Sequence, residues 1–294
     1  MPSHTQGEWQ ATVPSAARTL TDARLQLHHA TQFGTALGIS YLEKEADDSH
    51  TNLGWNGELG ALVSHEVNAN GSAIAIGVRV ADLTLLVTRA SAVSATIPLA
   101  GQTIASATES LRRALAREGL DPRKYTLARH YEIPAHAVSL GNPFNGTNRG
   151  AFEEMSKWFG NAALELEALA GRTRGASAVR LWPHHFDIAT LVTVTSNASS
   201  GAGMSAGDHY YDEPYFYVNA YPAPPADQLT DPLAGGGTWH THEWVGAVLP
   251  GSRVTGDARE QRAQVRAYLD SAVTACRRLV TRWTHDGTGG SDGL

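Results

Sequence analysis

Hydrophobic residues make up 42% of the 294-residue chain and charged residues 18%, a balance that supports a packed core and excludes a disordered chain. The formal net charge is -6, from 29 acidic and 23 basic residues with no basic run, which argues against nucleic acid as a partner. No apolar run approaches the roughly 18 to 20 residues that span a bilayer, no basic start followed by an apolar block opens the chain, and the single cysteine, Cys276, excludes a disulfide framework within one chain. The expectation is a cytoplasmic protein without a membrane partner.

Residues 1–18 and 286–294 read as loose termini. A helix is predicted over 22–41, where Ala30, Gly34 and Gly38 fall four apart and leave a stripe for close approach. Strands are predicted at 59–67, 73–80, 83–88 and 94–99, the middle two rich in β-branched residues, and a helix over 103–118 stops at Gly119. Turn formers fill 136–150. Asn148 then caps a helix to about 170, whose Phe152, Met155, Phe159, Ala162, Leu166 and Leu169 step by three and four. Strands are predicted at 177–182, 187–195, 215–221 and 239–249, and a capping box, Asp257 to Glu260, opens a last helix to about 283. The repeated order predicts an α+β fold made of two pseudo-repeated helix–antiparallel sheet–helix halves, 19–135 and 148–285, in one compact unit, the second half carrying the site.

Three stretches carry candidate chemistry. In "LWPHHFDIA", Pro183 breaks a strand, and His185 and Asp187, two apart, would share a face. In "GTWHTHEWVG", His240 and His242 alternate as a chelating pair would on a strand. Together the two pairs would hold one divalent metal ion. In "GAGMSAGDHYYDEPYFYV", Gly203 to Gly207 matches G-x-S-x-G, but it leads from a loop into a strand. That is not the elbow a nucleophile needs, so Ser205 reads as part of a loop that touches a ligand. Asp208 and Glu213 follow as acids, then Tyr215 and Tyr217 alternate as an aromatic floor. Each feature has a structural alternative: a histidine capping a bulge, a polar outer sheet face, ordinary ring packing.

These stretches resemble a mainly actinobacterial family without an assigned reaction, whose members carry WPxHFDxA, GxSPGD and EPYxYV segments, and more distantly a larger family of unknown function with FWGSFDLA. The resemblance covers residues 178–250 and implies a site there without naming its chemistry. Its patterns fall on Trp182, Pro183, His185, Phe186, Asp187, Gly203, Ser205, Gly207, Asp208, Glu213, Pro214, Tyr215, Tyr217 and Val218; Ala206 stands where the family has Pro.

The residues lead to a small-molecule enzyme of the hydrolase or lyase type, with His185, Asp187, Asp208 and Glu213 as its acid–base set. Trp182, Ser205, Tyr215 and Tyr217 would contact the ligand. The alternatives are a non-catalytic small-ligand binder and a structural or partner-binding protein. The loop 201–213 is expected to fold over the "HHFD" break and bring Asp208 or Glu213 to His185.

Overall fold

The computed structural model describes residues 7–286, and the looseness expected of 1–6 and 287–294 falls outside them. The fold is α+β, as expected. The chain divides into two compact units, the first made of residues 19–160 and 180–187, the second of the remaining described residues. The division falls inside a helix at 160/161, not in the turn-rich 136–150 connector.

The first unit opens with α1 (Thr21–Tyr41), followed by β1 (Leu53–Asn56), β2 (Ala61–Ser64), β3 (Val67–Ala69), β4 (Ser72–Arg79), β5 (Thr84–Arg89), β6 (Ala92–Pro98) and α2 (Ile104–Arg117). It continues into α3 (Arg149–Arg172) and later adds β7 (Arg180–Trp182). Its strands lie in the antiparallel order β7-β1-β2-β4-β5-β6, with β3 beside β4. Strand β1 escaped prediction because "LGWN" lacks β-branched residues; it is a strand through its pairing with β2 and β7. The strand expected over 59–67 is two, β2 and β3.

Helix α1 packs on β2 and β4 and is buried on nearly every side, including its polar Gln26, His28, His29 and Gln32. A helix buried all round normally has no polar residues, so each of these needs an internal partner. The small-residue stripe does bring close approach: a Cβ at Gly34 would press on Leu53, and one at Gly38 would overlap the carbonyl oxygen of His50. Gly38→Ala, which in an open helix would stabilise by about 1 kcal/mol, is therefore expected to destabilise by about 2–3 kcal/mol. Chemical denaturation checks this, and an unchanged or raised midpoint contradicts it.

The second unit contains the C-terminal part of α3, β8 (Asp187–Thr195) beyond its first residue, β9 (Ala198–Ser205), β10 (Tyr215–Tyr221), β11 (Thr238–His240), β12 (Gly246–Pro250) and α4 (Ala258–Asp286). Its strands run β11-β12-β10-β9-β8, antiparallel where paired. Strand β9 was expected as a Gly/Ser loop. Its glycines and serines make it a strand because β10 supplies large side chains that need small ones opposite: Tyr217 faces Gly203 in register, and a Cβ there would overlap the Tyr217 ring. The strand expected over 239–249 is two, β11 and β12, separated by a turn in which Glu243 takes φ 66°.

Helix α4 covers β9 and β10, with the Tyr268 hydroxyl donating to the Phe216 carbonyl at 3.3 Å. In the first unit the opening helix is the one laid on the strands. The two halves thus share an order of elements, but their corresponding helices pack differently.

Residues 7–18 are not loose. The Thr12 backbone N–H donates to Gln261 Oε1 at 2.9 Å, Gln261 Nε2 donates back to the Thr12 carbonyl at 2.8 Å, and Gln10 and Asn161 exchange a similar pair. Trp9 and Ala17 are buried as well, and the Trp9 indole N–H donates to Gln261 Oε1 at 3.2 Å.

Candidate functional site

The "HHFD" stretch is a turn joining β7 to β8. The Phe186 N–H donates to the Trp182 carbonyl at 2.8 Å, and Phe186 takes φ 57°, an unfavourable conformation for a bulky residue. The compensation is burial. The Phe186 ring, 2% exposed, stacks on His28 at 4.9 Å and meets Phe159 edge-on at 5.3 Å. The Pro183 carbonyl accepts from two buried donors of α1, His28 Nε2 at 2.9 Å and Gln32 Nε2 at 3.1 Å. Gln32 Oε1 in turn accepts from the Tyr131 hydroxyl at 2.9 Å.

With Phe186 plugged inward, His184 and His185 are pushed outward. His184 lies among Tyr131, Trp182 and His185, whose ring centroids are 5.7, 6.1 and 4.2 Å away. His185 is exposed while Asp187 is buried at the start of β8. The shared face expected for this pair is absent because a turn, not an extended strand, separates them. Burial lowers the pKa of His184 and lowers that of His28 from 6.5 to about 3, so His28 is a neutral donor.

In the second unit the predicted residues do assemble, through tyrosines. Asp208 Oδ1 accepts from the backbone N–H groups of Tyr210 and Tyr211 at 2.8 and 3.0 Å, and Oδ2 accepts from the Tyr215 hydroxyl at 2.5 Å. His240 Nε2 faces the His242 carbonyl at 2.7 Å, which places its proton there, so Nδ1 accepts from the Tyr211 hydroxyl at 2.9 Å. Burial, then the nearby Asp208 charge, raise the Tyr211 pKa.

Ring contacts link these groups into one floor. Tyr217 meets Tyr215 at 6.3 Å, Tyr215 meets Tyr211 at 4.8 Å, Tyr211 meets His240 at 5.6 Å, and His240 stacks on Trp244 at 4.5 Å. Tyr210 stands edge-on to His240 and Trp244 and donates from its hydroxyl to Glu243 at 2.9 Å. Tyr210, Tyr211, Tyr217, His240 and Trp244 are all partly exposed.

Other expectations need correction. Glu213 is not beside a histidine: it is buried, with Oε1 accepting from Arg18 Nε at 3.3 Å and from the Ser252 hydroxyl at 3.0 Å, and Oε2 accepting from the Ser252 N–H. Asp208 likewise spends its oxygens on its own loop and on Tyr215 of β10, so neither acid orients His185. Ser205 is the buried last residue of β9, its hydroxyl accepting from the Gly207 N–H at 3.1 Å, so the G-x-S-x-G match closes a strand and only Ala206 and Gly207 lie beyond it. His242 lies beyond the end of β11, so the His-x-His alternation is lost. Among the described residues no three His, Cys, Asp or Glu side chains gather to hold a metal ion. The divalent ion expected over His185, Asp187, His240 and His242 therefore has no ligand set.

Two groups escaped the sequence reading. His28 and Gln32 carried a signal, a polar pair four apart and so on one side of a helix. Tyr210, Tyr211 and Trp244 carried less, since they are loop residues outside any period. No helix among the described residues is long and apolar enough to cross a membrane. No family model, no curated protein and no solved structure matches the chain.

Proposed function

We infer that the second unit binds a small polyhydroxylated ligand of the saccharide class on the floor formed by Tyr217, Tyr211, His240, Trp244 and Tyr210. The observation that carries this reading is the run of ring contacts from Tyr217 through buried Tyr215 to Tyr211, His240 and Trp244, with the hydroxyls of Tyr215, Tyr211 and Tyr210 already tied down by Asp208, His240 and Glu243. Such rings lose little freedom when a ligand settles on them.

The ligand class follows from the shape. A wholly apolar ligand needs an enclosing pocket, and an organic cation needs rings arranged around it. Here Tyr210 packs edge-on against Trp244 and His240 and fills that space. A sugar ring offers a C–H face for the rings and hydroxyl edges for Glu243, His209 and His242, all exposed at the rim.

Binding is favoured over hydrolase or lyase chemistry because Asp208 and Glu213 are committed to structure, while His185 is exposed and Asp187 buried, so that pair does not share a face. Both oxygens of Asp208 and of Glu213 accept hydrogen bonds, and both nitrogens of His240 are engaged. Of the residues on which the resemblance falls, Tyr217 belongs to this floor and Asp208 and Tyr215 support it. An ancestral duplication of the two halves is a further proposal, supported by the common order of their elements.

Calorimetric titration with a panel of neutral mono- and oligosaccharides tests the reading. At least one is expected to bind. Trp244→Ala and Tyr217→Ala should each weaken it about tenfold, the scale of one lost stacking partner. Absence of binding across the panel, or equal binding by both variants, contradicts the proposal. Binding of tetramethylammonium instead would reassign the floor to cations.

A further inference from the structure

A groove of about 650 Å³ lies in the first unit, lined among others by Asp22, Ala100, Gly101, His136, Pro143 and Gly146. Its volume is within the range of small-molecule sites. Nothing in the sequence reading pointed to it, because its walls come from α1, the end of the β6 segment and the turn-rich 136–147 stretch.

The walls are held firmly. Phe144 is 1% exposed and anchors the loop; its N–H donates to the Gln102 carbonyl at 2.8 Å, and its own carbonyl accepts from the Gly101 N–H at 2.9 Å. Gln26, fully buried, clamps the next residue from below: the Asn145 N–H donates to Gln26 Oε1 at 2.6 Å, and Gln26 Nε2 donates back to the Asn145 carbonyl at 3.1 Å. A buried side chain that satisfies both backbone groups of a loop residue fixes that loop as a strand partner would.

The same Gln26 Nε2 donates to Asp22 Oδ2 at 2.7 Å. Asp22 Oδ1 faces His136 Nε2 at 3.0 Å. His136 Nδ1 accepts from the Val138 N–H at 3.3 Å, so the ring proton sits on Nε2 and points at the carboxylate. Asp22 is thus aimed by two donors, one on each oxygen, while its side chain stays 63% exposed. A carboxylate oxygen accepts more than one hydrogen bond, so capacity is left on the groove side. No lysine or arginine is among the lining residues, and Ala100, Ala137 and Pro143 supply apolar wall.

We propose that this groove binds a small organic amine, its ammonium group on the Asp22 carboxylate and its carbon chain along Ala100, Ala137 and Pro143. His136 and Gln26 act as positioning residues. They hold the carboxylate in one orientation, which removes the reorganisation an exposed aspartate would otherwise undergo. The site is independent of the aromatic floor, and neither proposal rests on the other.

The probe is 4-aminobutanol, with 1,4-butanediol as its uncharged counterpart, titrated into the full chain and followed by backbone amide NMR. Saturable shifts are expected for Gly101, Gly146 and Asn145 with the amine and not with the diol. Asp22→Asn should weaken binding about tenfold or more, as the loss of a charge-assisted hydrogen bond does. Thr147→Arg, which places a cation on an exposed residue of the rim, should weaken it comparably and leaves the Gln26 clamp untouched should Asp22→Asn disturb the fold. Equal responses to amine and diol, no saturable shift at these amides, or undiminished binding in Thr147→Arg would overturn the proposal.

Discussion

Stability is expected to fall steeply as the pH drops from about 6.5 toward 3, and replacing His28 should remove about one proton from that dependence. His28 is 4% exposed, and burial lowers its pKa from 6.5 to about 3 against the raising effect of its bond to the Pro183 carbonyl. The unfolded chain therefore takes up a proton on this residue near pH 6.5, and the folded chain does not until near pH 3. Between those values the unfolded state binds more protons, so stability is fully present above the window and is lost on acidification, by about 1.4 kcal/mol per pH unit. His29, His65 and His184 are also lowered by burial and act in the same direction. His28→Gln keeps an amide donor for the Pro183 carbonyl but cannot titrate. At neutral pH it should be less stable by about 1 kcal/mol, having lost the stack on Phe186, and the two stability curves should cross roughly one pH unit below 6.5, the variant being the more stable in more acidic solution. Urea denaturation at a series of pH values checks this; parallel curves contradict it.

Removing both arginines that hold Glu165 is expected to destabilise the second unit by about 3–5 kcal/mol, the usual effect of leaving a buried charge unpaired. Glu165, in α3, has no exposed surface. Arg262 Nε donates to it at 2.7 Å and Arg266 Nε at 2.9 Å, with a second bond from Arg266 at 3.1 Å. Both arginines come from α4, so the carboxylate ties two helices together. The bond to Glu165 raises the Arg266 pKa. In Arg262→Met/Arg266→Met the carboxylate must either remain charged and unpaired or take up a proton, so the loss should shrink at acidic pH. Adding Glu165→Met should restore most of the stability, because it removes the buried, unpaired carboxylate that the double variant leaves behind. Thermal denaturation of the double and triple variants decides it. A double variant as stable as the parent, or a triple variant no better than the double, contradicts this account of the α3–α4 contact.

What was legible in the sequence was what has a local cause. The span of β10 follows from its alternating tyrosines, and the start of α4 follows from Asp257, whose carboxylate accepts from the Glu260 N–H at 2.9 Å while Glu260 caps in return. Strand β9 was not legible because its composition is an answer to β10: Gly203 exists to admit the Tyr217 ring, and only the pairing shows that. The turn at Pro183 was read as a break, correctly for its missing donor, but the role of Phe186 was hidden. That role depends on His28 and Phe159, distant in sequence and adjacent in the first unit.

The site was half legible for the same reason. The segments "GDHYYDEPYFY" and "TWHTHEW" were identified as chemistry-bearing, and Asp208, Tyr215, Tyr217 and His240 do belong to one assembly. The carboxylates were misread because an acid in sequence looks the same whether it meets a histidine, a backbone N–H or an arginine. Glu213 found Arg18 and Ser252, and Asp208 found its own loop and the Tyr215 hydroxyl.

The central claim is that the rings of the second unit form a ligand platform. Its most direct measurement is a carbon-13 aromatic NMR titration of the full chain with the tightest-binding oligosaccharide of the calorimetric panel, the resonances of Tyr210, Tyr211, Tyr217 and Trp244 assigned by substitution. The account predicts upfield shifts of the sugar C–H protons, as expected for protons lying over ring faces, together with saturable changes at these four residues and none at Tyr125, which is buried in the first unit. Bound sugar that leaves these four rings unchanged, or that shifts other aromatic residues instead, would contradict it.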